Sequence, residues 1–139
     1  MKLAPNFTLE EFLRTSHKVN NSPPPEEFDA VFHNLELLAL TLLQPIRERF
    51  GVIFISSGYR SHELNELVKG KASSDHLTGR AADFKVFGTP LKTVWEWIDK
   101  SPLMFYQNIL ECGNHPEPRW IHLALPRKND ARRMSFTLP

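Results

Sequence analysis

The sequence predicts an α+β fold in which N-terminal helices pack against a small, mostly antiparallel sheet. Apolar residues recur at three- and four-residue steps over residues 25–50, which is the period of a helix. From residue 52 onward, short runs rich in β-formers alternate with turn residues and shorter helical stretches. Helices that come first, followed by a mixture of short elements, favour an α+β arrangement.

The composition is that of a single globular domain. The chain has 139 residues, so we expect one domain spanning residues 1–139. The net charge of +1 gives no strong field to attract nucleic acid, and we expect none as a partner. Cys112 is the only cysteine, which excludes an internal disulfide and a multi-cysteine zinc cluster.

The N-terminus has no recognisable export signal. Residues 1–12 contain one lysine and no apolar run long enough for the core of a signal peptide. No window approaches the roughly 18 apolar residues of a membrane span. We therefore expect synthesis in the cytoplasm without a signal peptide, and no membrane span.

Two helices are predicted in the N-terminal half. Thr8 and Glu11 have the spacing of a capping box, which predicts a short helix over residues 9–14. A long helix is predicted over residues 25–50, with Pro45 kinking or shifting it near its last turn. The stripe that this helix should bury consists of Phe28, Val31, Phe32, Leu35, Leu38, Ala39, Leu42, Leu43 and Ile46.

The remaining elements are shorter. The strands predicted over residues 107–112 and 120–125 should pair as a hairpin, and residues 132–138 can add an edge strand. Helices are predicted over residues 62–68 and 89–100, whereas residues 71–78 have the composition of a polar loop. The four main strand candidates are residues 52–55, 81–86, 107–112 and 120–125.

Three residues in the C-terminal half of the chain have side chains that commonly bind zinc. Catalytic zinc sites take three ligands from histidine and acidic residues and leave a fourth position for water. His76 and Asp83 are separated by a loop that leads into a predicted strand, and His122 lies on another predicted strand. Each also has a simpler interpretation: a surface histidine, a turn-capping acid and a hydrogen-bonded core histidine, respectively. Spacing alone leaves both interpretations open.

The joint pattern of residues is more specific. It consists of Ser57-Gly58-Tyr59-Arg60-Ser61, Leu64-Asn65, Ser74-Asp75-His76, Gly79, Ala81 with Asp83, and Trp120-Ile121-His122. This pattern resembles the M15 zinc peptidase family, which includes D-alanyl-D-alanine carboxypeptidases and phage L-alanyl-D-glutamate endolysins. The resemblance covers roughly residues 6–125, and the opening of the chain is similar to the small phage-type branch.

The resemblance implies a fold and a metal site. The fold would be that of the Hedgehog and DD-peptidase domains, formed by the whole chain as one M15-like zinc peptidase domain. The ligands of Zn²⁺ would be His76, Asp83 and His122. Zinc would polarise the scissile carbonyl and lower the pKa of its water to around 7. Arg60 matches the family arginine near the metal, where it would hold a substrate carboxylate or the developing oxyanion.

The general base is where the chain departs from the family pattern. Many members carry an acid two or three positions before the last histidine, but this chain has Trp120 and Arg119 there. Glu111 resembles an acidic residue that the phage-type branch carries on the preceding strand. We therefore expect Glu111 to act as the base. Glu117, in the loop between the two strands, is the alternative.

Other residues have less specific assignments. Arg60, Ser74, Tyr59 and Trp120 are expected to bind substrate or to wall the site. Cys112 follows Glu111 and should point to the opposite face of its strand, so no catalytic thiol is expected. The basic residues near the C-terminus predict a solvated tail, with attraction to anionic cell wall as the alternative; they are Arg127, Lys128, Arg132 and Arg133.

The resemblance implies a zinc metallopeptidase that hydrolyses the stem peptides of bacterial peptidoglycan. It would act as a monomer, either as an endolysin or as a cell-wall-degrading component of a phage or phage-like particle. Particle components are then candidate partners, and the enzyme would reach the wall after release, by delivery, or within a virion. The L-Ala–D-Glu, D-Ala–D-Ala and cross-bridge bonds all remain open as targets, as does the choice between carboxypeptidase and endopeptidase.

Two alternatives belong to other classes of protein. One is a non-catalytic, zinc-stabilised module of the same fold that binds cell wall or another protein, favoured by the missing acid beside His122. The other is a structural phage protein that binds no metal. Release of new amino or carboxyl termini from peptidoglycan distinguishes the enzyme from both.

Overall fold

The computed structural model describes all 139 residues and confirms the α+β class. None of its helices combines the length and the apolar character needed to cross a bilayer. The helices are α1 (Leu9–Leu13), α2 (Phe28–Leu38), α3 (Gln44–Phe50), α4 (His62–Leu67) and α5 (Leu91–Lys100). The strands are β1 (Lys2–Ala4), β2 (Phe7–Thr8), β3 (Ile53–Ser57), β4 (Ala81–Val86), β5 (Gln107–Glu111), β6 (Trp120–Ala124) and β7 (Met134–Leu138).

Five strands form the main sheet, in the order β3-β4-β6-β5-β7. The predicted hairpin is β5–β6, and the β3–β4 and β4–β6 pairs are also antiparallel. The C-terminal edge strand is shorter than predicted and runs parallel to β5, so the sheet is mostly rather than wholly antiparallel. The separate β1–β2 pair was not predicted, because strands of three and two residues are too short to show a periodic pattern.

One face of the main sheet carries the hydrophobic core. Phe84, Ile121 and Leu123 belong to the same buried cluster as Leu35 and Leu38 of α2. Side chains alternate between the two faces along a strand, so their sequence neighbours project to the other side. The helices thereby cover one face, and the opposite face is left for polar side chains.

The long predicted helix is present but is not uniform. It begins at Phe28 rather than at residue 25, because residues 25–27 form a turn. Between α2 and α3 the segment Ala39–Leu43 is a π-helical turn. Pro45 has no N–H to donate to the carbonyl of Thr41, and its ring would crowd that carbonyl in an α-helix. The wider turn removes this conflict, in agreement with the expected shift near Pro45.

The π-helical turn packs against the core through only some of its residues, which gives a matched pair of variants. Leu42 is 0% exposed, whereas Leu40 is 45% exposed in the same turn. We expect Leu42→Ala to lower the free energy of unfolding by about 2–5 kcal/mol, through lost burial and a residual cavity. We expect Leu40→Ala to change it by less than about 0.5 kcal/mol. Urea denaturation of both variants measures the difference, and equal losses would contradict this description of the core.

The end of β3 departs from a regular strand. It extends to Ser57, past the predicted end at residue 55. Ile55 pairs with Phe84, but Ser57 pairs with Asp83, so two residues of β3 oppose a single step on β4. This β-bulge redirects the side chains that follow it, a common device beside functional sites. Here it turns the side chain of Ser57 toward the face of the sheet that the helices do not cover.

Candidate metal centre

Two of the predicted ligands are brought together by strand pairing. Asp83 on β4 is directly opposite His122 on β6. Residues directly opposite one another on antiparallel strands project to the same face of the sheet. Both side chains therefore lie on the face away from the core helices, and the Nδ1 atom of His122 is 2.9 Å from Oδ1 of Asp83.

The third ligand candidate comes from a short helix that was not predicted. The segment Asp75–Thr78 is a 3₁₀ helix within the predicted polar loop. Ser74 caps it, because its Oγ accepts a hydrogen bond from the backbone N–H of His76 at 3.2 Å. Gly79 ends it with a φ of +76°, a left-handed conformation that favours glycine. Four residues are too few for a periodic signal, which is why composition alone indicated a loop.

The ring of His76 is oriented by a backbone carbonyl. Its Nδ1 lies 2.7 Å from the carbonyl oxygen of Gly58, which can only accept, so Nδ1 carries the proton. The lone pair of the neutral ring is then on Nε2, which is 3.3 Å from Oδ1 of Asp83. Gly58 itself is packed against α1, where a Cβ would lie 2.6 Å from the carbonyl oxygen of Phe12, so a side chain would displace the carbonyl that orients His76.

The three side chains lie close enough together to hold one zinc ion, with Oδ1 of Asp83 3.3 Å from Nε2 of His76 and 2.9 Å from Nδ1 of His122. One ligand atom from each of His76, Asp83 and His122 lies within 4.8 Å of the others. Ligand atoms about 2.0–2.2 Å from a tetrahedral zinc ion are about 3.3–3.6 Å apart. Two imidazoles and a carboxylate are also a donor set that zinc commonly takes. The residues therefore fit this metal in both chemistry and spacing.

The electrostatics of the group favour a bound cation. Burial alone would raise the pKa of Asp83, but the His76 and His122 imidazoles hold it well below its usual range. Burial lowers the pKa of His122, but its hydrogen bond to Asp83 and the charge of that carboxylate outweigh burial and raise it. Positive charge is thus stabilised at the centre of the group, where a bound metal ion would supply it.

Arg60 lies at the edge of this group, held by three acceptors. Its Nη2 is 3.6 Å from Oδ2 of Asp83, and its Nε donates to Ser57 Oγ at 3.3 Å. Its Nη1 donates to Oδ1 of Asn65 at 3.5 Å, and Asn65 in turn donates to the carbonyl of Lys71. The sequence pattern included Asn65 without indicating its contacts, and the structure places it behind the arginine.

Only one of the two candidates for the general base reaches the site. Glu111 on β5 is paired with Trp120 on β6, on the same face as His122, and it lines the pocket. Burial raises the pKa of Glu111, and the negative charge of Asp83 raises it further. Glu117 is exposed in the loop between the strands and does not line the pocket.

The pocket over the three ligand candidates has a volume of about 380 Å³. Four of the residues assigned to the site from the sequence line this pocket: Arg60, Ser74, Glu111 and Trp120. Trp120 contributes an indole N–H that is buried without an acceptor in the protein. Tyr59 does not line the pocket; its side chain is buried in the core cluster, so the structure does not bring it to the site.

The arginines of the basic tail make more contacts than a solvated tail implies, although Arg132 and Arg133 are exposed and only Arg127 is partly buried. Arg127 forms an ion pair with Asp75, and Arg132 forms one with Asp130. Arg133 donates to backbone carbonyls at the C-terminal end of α5, including those of Ile98 and Ser101. A guanidinium has five donors, and these segments supply unpaired acceptors that a count of charges does not show.

Comparison with protein-family models gives a match over most of the chain. The model of a family described as Peptidase M15 matches residues 5–124. The matched region includes all three ligand candidates together with Arg60 and Glu111, and it ends with β6. No curated protein matches the chain significantly.

Proposed function

This chain belongs to the peptidase M15 family, and we propose that it is a zinc-dependent peptidase that hydrolyses stem peptides of bacterial peptidoglycan. The observation that carries the proposal is the convergence of His76, Asp83 and His122 at the base of a pocket that also contains Glu111. A metal-binding group without a nearby base would support binding alone. A group that faces an acid across an open pocket supports hydrolysis.

We assign zinc to this group. The ligand atoms would be Nε2 of His76, a carboxylate oxygen of Asp83 and Nδ1 of His122, and the tautomer set by Gly58 leaves the His76 lone pair free. When bound, zinc supplies Lewis acidity that polarises a peptide carbonyl and makes water more acidic. Asp83 remains ionised near neutral pH, as a ligand must be.

Glu111 is assigned as the general base. Its carboxylate would accept a proton from the attacking water and then donate that proton to the leaving amine. Its pKa is raised toward the range in which proton transfer in both directions is efficient. Its position opposite Trp120, one strand away from His122, supports this role over that of Glu117.

Arg60 and Trp120 are assigned to substrate, and Ser74 is assigned to the orientation of His76. The guanidinium of Arg60 would hold a substrate carboxylate or the developing oxyanion, while Ser57 and Asn65 fix its direction. The indole N–H of Trp120 is a donor without a partner and would pair with a peptide carbonyl. Ser74 already accepts from the backbone of His76, which supports orientation of that ligand.

The biological setting proposed is that of a phage-derived enzyme. It would act as a monomeric endolysin or as a cell-wall-degrading part of a particle. The similarity of the N-terminal residues to the small phage-type branch of the family supports this setting. We also propose that residues 1–139 form one domain. Strand β7 lies beyond the family match, but it pairs along β5, so it completes the same sheet.

A second function is favoured by one observation. Trp120 and Arg119 occupy the positions where many members of the family carry an acid. This favours a chain that binds zinc and cell wall without hydrolysing the wall peptides. In this second function the metal is structural and Glu111 is a half-buried acid without a catalytic role. Both functions involve binding to peptidoglycan, but only the peptidase releases new amino and carboxyl termini from it.

Digestion of purified peptidoglycan tests the proposal directly. We expect mass spectrometry to show new amino and carboxyl termini in the stem peptides, lost with a chelator and restored by zinc. The mass of the fragments identifies the bond as L-Ala–D-Glu, D-Ala–D-Ala or a cross-bridge, and hence the endopeptidase or carboxypeptidase class. Stoichiometric zinc without new termini would support the binding module instead. Absence of both would support a structural protein.

A further inference from the structure

We propose that Arg127 is a positioning residue for His76, acting through Asp75 from a segment beyond the family match. The proposal rests on the assignment of His76 as a zinc ligand. Arg127 is not expected to touch the metal. It holds in place the 3₁₀ helix that carries His76, so the zinc affinity of the site should depend on Arg127.

The contact between Arg127 and Asp75 is bidentate. Nε of Arg127 donates to Oδ1 of Asp75 at 3.2 Å, and Nη2 donates to Oδ2 at 3.0 Å. Nη2 also donates to the carbonyl of Ser73 at 3.3 Å. Parallel hydrogen bonds of this kind fix the relative orientation of the two groups as well as their distance.

Asp75 is placed where that orientation matters. It is the first residue of the 3₁₀ helix and directly precedes His76. Its side chain is 9% exposed, and a carboxylate at that depth is stable only when its charge is paired. Its backbone carbonyl accepts from the N–H of Arg80, the residue immediately before β4, which links the helix to the strand that carries Asp83.

The other side of Arg127 is also fixed. The guanidinium lies 4.4 Å from the centre of the Tyr106 ring, and Tyr106 is buried immediately before β5. Arg127 also forms a β-bridge with Asp130, which holds its backbone. The guanidinium is therefore held between the beginning of β5 and the helix that bears His76, in the stacked arrangement that arginine favours.

A helix of four residues has few hydrogen bonds of its own, so outside contacts decide its position. The ring of His76 is held by the Gly58 carbonyl, and the backbone carbonyl of His76 accepts from the N–H of Arg60. Both of these contacts come from the segment that follows β3. Asn34 of α2 holds the other end of the helix through the carbonyl of Thr78. The Asp75–Arg127 pair is the side-chain attachment of the first residue, so its loss should loosen the end that carries His76.

Zinc affinity measured by competition with a chelating dye tests this proposal in the full chain. We expect Arg127→Ala to weaken zinc binding about 10-fold or more, which is within the range for outer-shell partners of zinc ligands. The visible spectrum of the cobalt-substituted protein should also change, because ligand geometry sets that spectrum. Arg127→Lys should recover only part of the affinity, since an ammonium cannot form the bidentate pair.

Arg132→Ala is the matched control. Arg132 makes the same kind of pair with Asp130, but its side chain is 66% exposed and it does not line the pocket. We expect wild-type zinc affinity and an unchanged cobalt spectrum for it. Thermal denaturation of the metal-free proteins shows which variants are folded, so that only folded protein enters the comparison.

The outcomes separate this proposal from the proposed function. Wild-type zinc affinity and an unchanged cobalt spectrum in folded Arg127→Ala would overturn the positioning role. If Arg127→Ala does not fold, Asp75→Asn gives the same test, with weakened zinc binding expected and wild-type affinity overturning the role. If the wild-type protein itself binds no zinc, the assigned function fails instead.

Discussion

Alanine in place of His76 or Asp83 is expected to abolish zinc binding and, with it, the hydrolysis of peptidoglycan. Each residue supplies one of only three ligand atoms, so its loss leaves two protein ligands for the metal. Asp83 is also the only carboxylate in the group. Its removal would leave two buried imidazoles without the charge that stabilises a cation between them.

Metal analysis after dialysis and mass spectrometry of digested peptidoglycan measure the two effects together. Asp83→Asn keeps the shape of the side chain and serves where Asp83→Ala lowers stability. The matched control is His115→Ala, which removes an exposed histidine from the loop between β5 and β6 and should change neither quantity. A His76→Ala protein with stoichiometric zinc and full activity would refute the assigned centre.

Glutamine in place of Glu111 is expected to keep zinc but reduce turnover by about 10²–10⁴-fold, the usual contribution of a general base. The amide has nearly the shape of the carboxylate but cannot accept the proton. Because Glu111 is not among the three ligand candidates, metal content should stay at the wild-type level. Substrate binding should also change little, so the loss should appear in kcat rather than in KM.

Initial rates on a defined peptidoglycan fragment, with metal content measured on the same sample, test this expectation. Glu117→Gln is the control, because Glu117 is exposed and outside the pocket. It should have wild-type turnover. Unchanged turnover in Glu111→Gln would exclude that residue as the base, and a loss confined to Glu117→Gln would transfer the role.

The strands that carry Asp83 and His122 were predictable because they are regular, whereas the family resemblance, not the spacing, indicated the ligand set. An acid within the apolar run that became β4 was unusual by its surroundings alone. The hairpin β5–β6 was predictable from two β-rich runs around a turn-rich loop, and it places Glu111 on the face that carries His122. Alternation along strands then determined which side chains face the pocket.

The parts that escaped prediction depend on contacts distant in sequence or on irregular backbone. Arg127 and Asp75 are separated by 52 positions, and no sequence pattern around either residue predicts their ion pair. Tyr59 was expected beside Arg60 in the site. The chain leaves the bulge of β3 in a direction that sends Arg60 to the pocket and Tyr59 into the core. Local composition does not encode such a change of direction.

The bulge at the end of β3 also affects how copies of this protein meet. β3 is an outer strand of the sheet, and a flat outer strand is a template for intermolecular pairing and aggregation. The irregular register between Ile55 and Ser57 interrupts that template, and Arg14 donates to the free carbonyl of Ile55 while its guanidinium covers Phe54. The backbone feature that directs Ser57 toward the pocket therefore also discourages edge-to-edge association at high concentration.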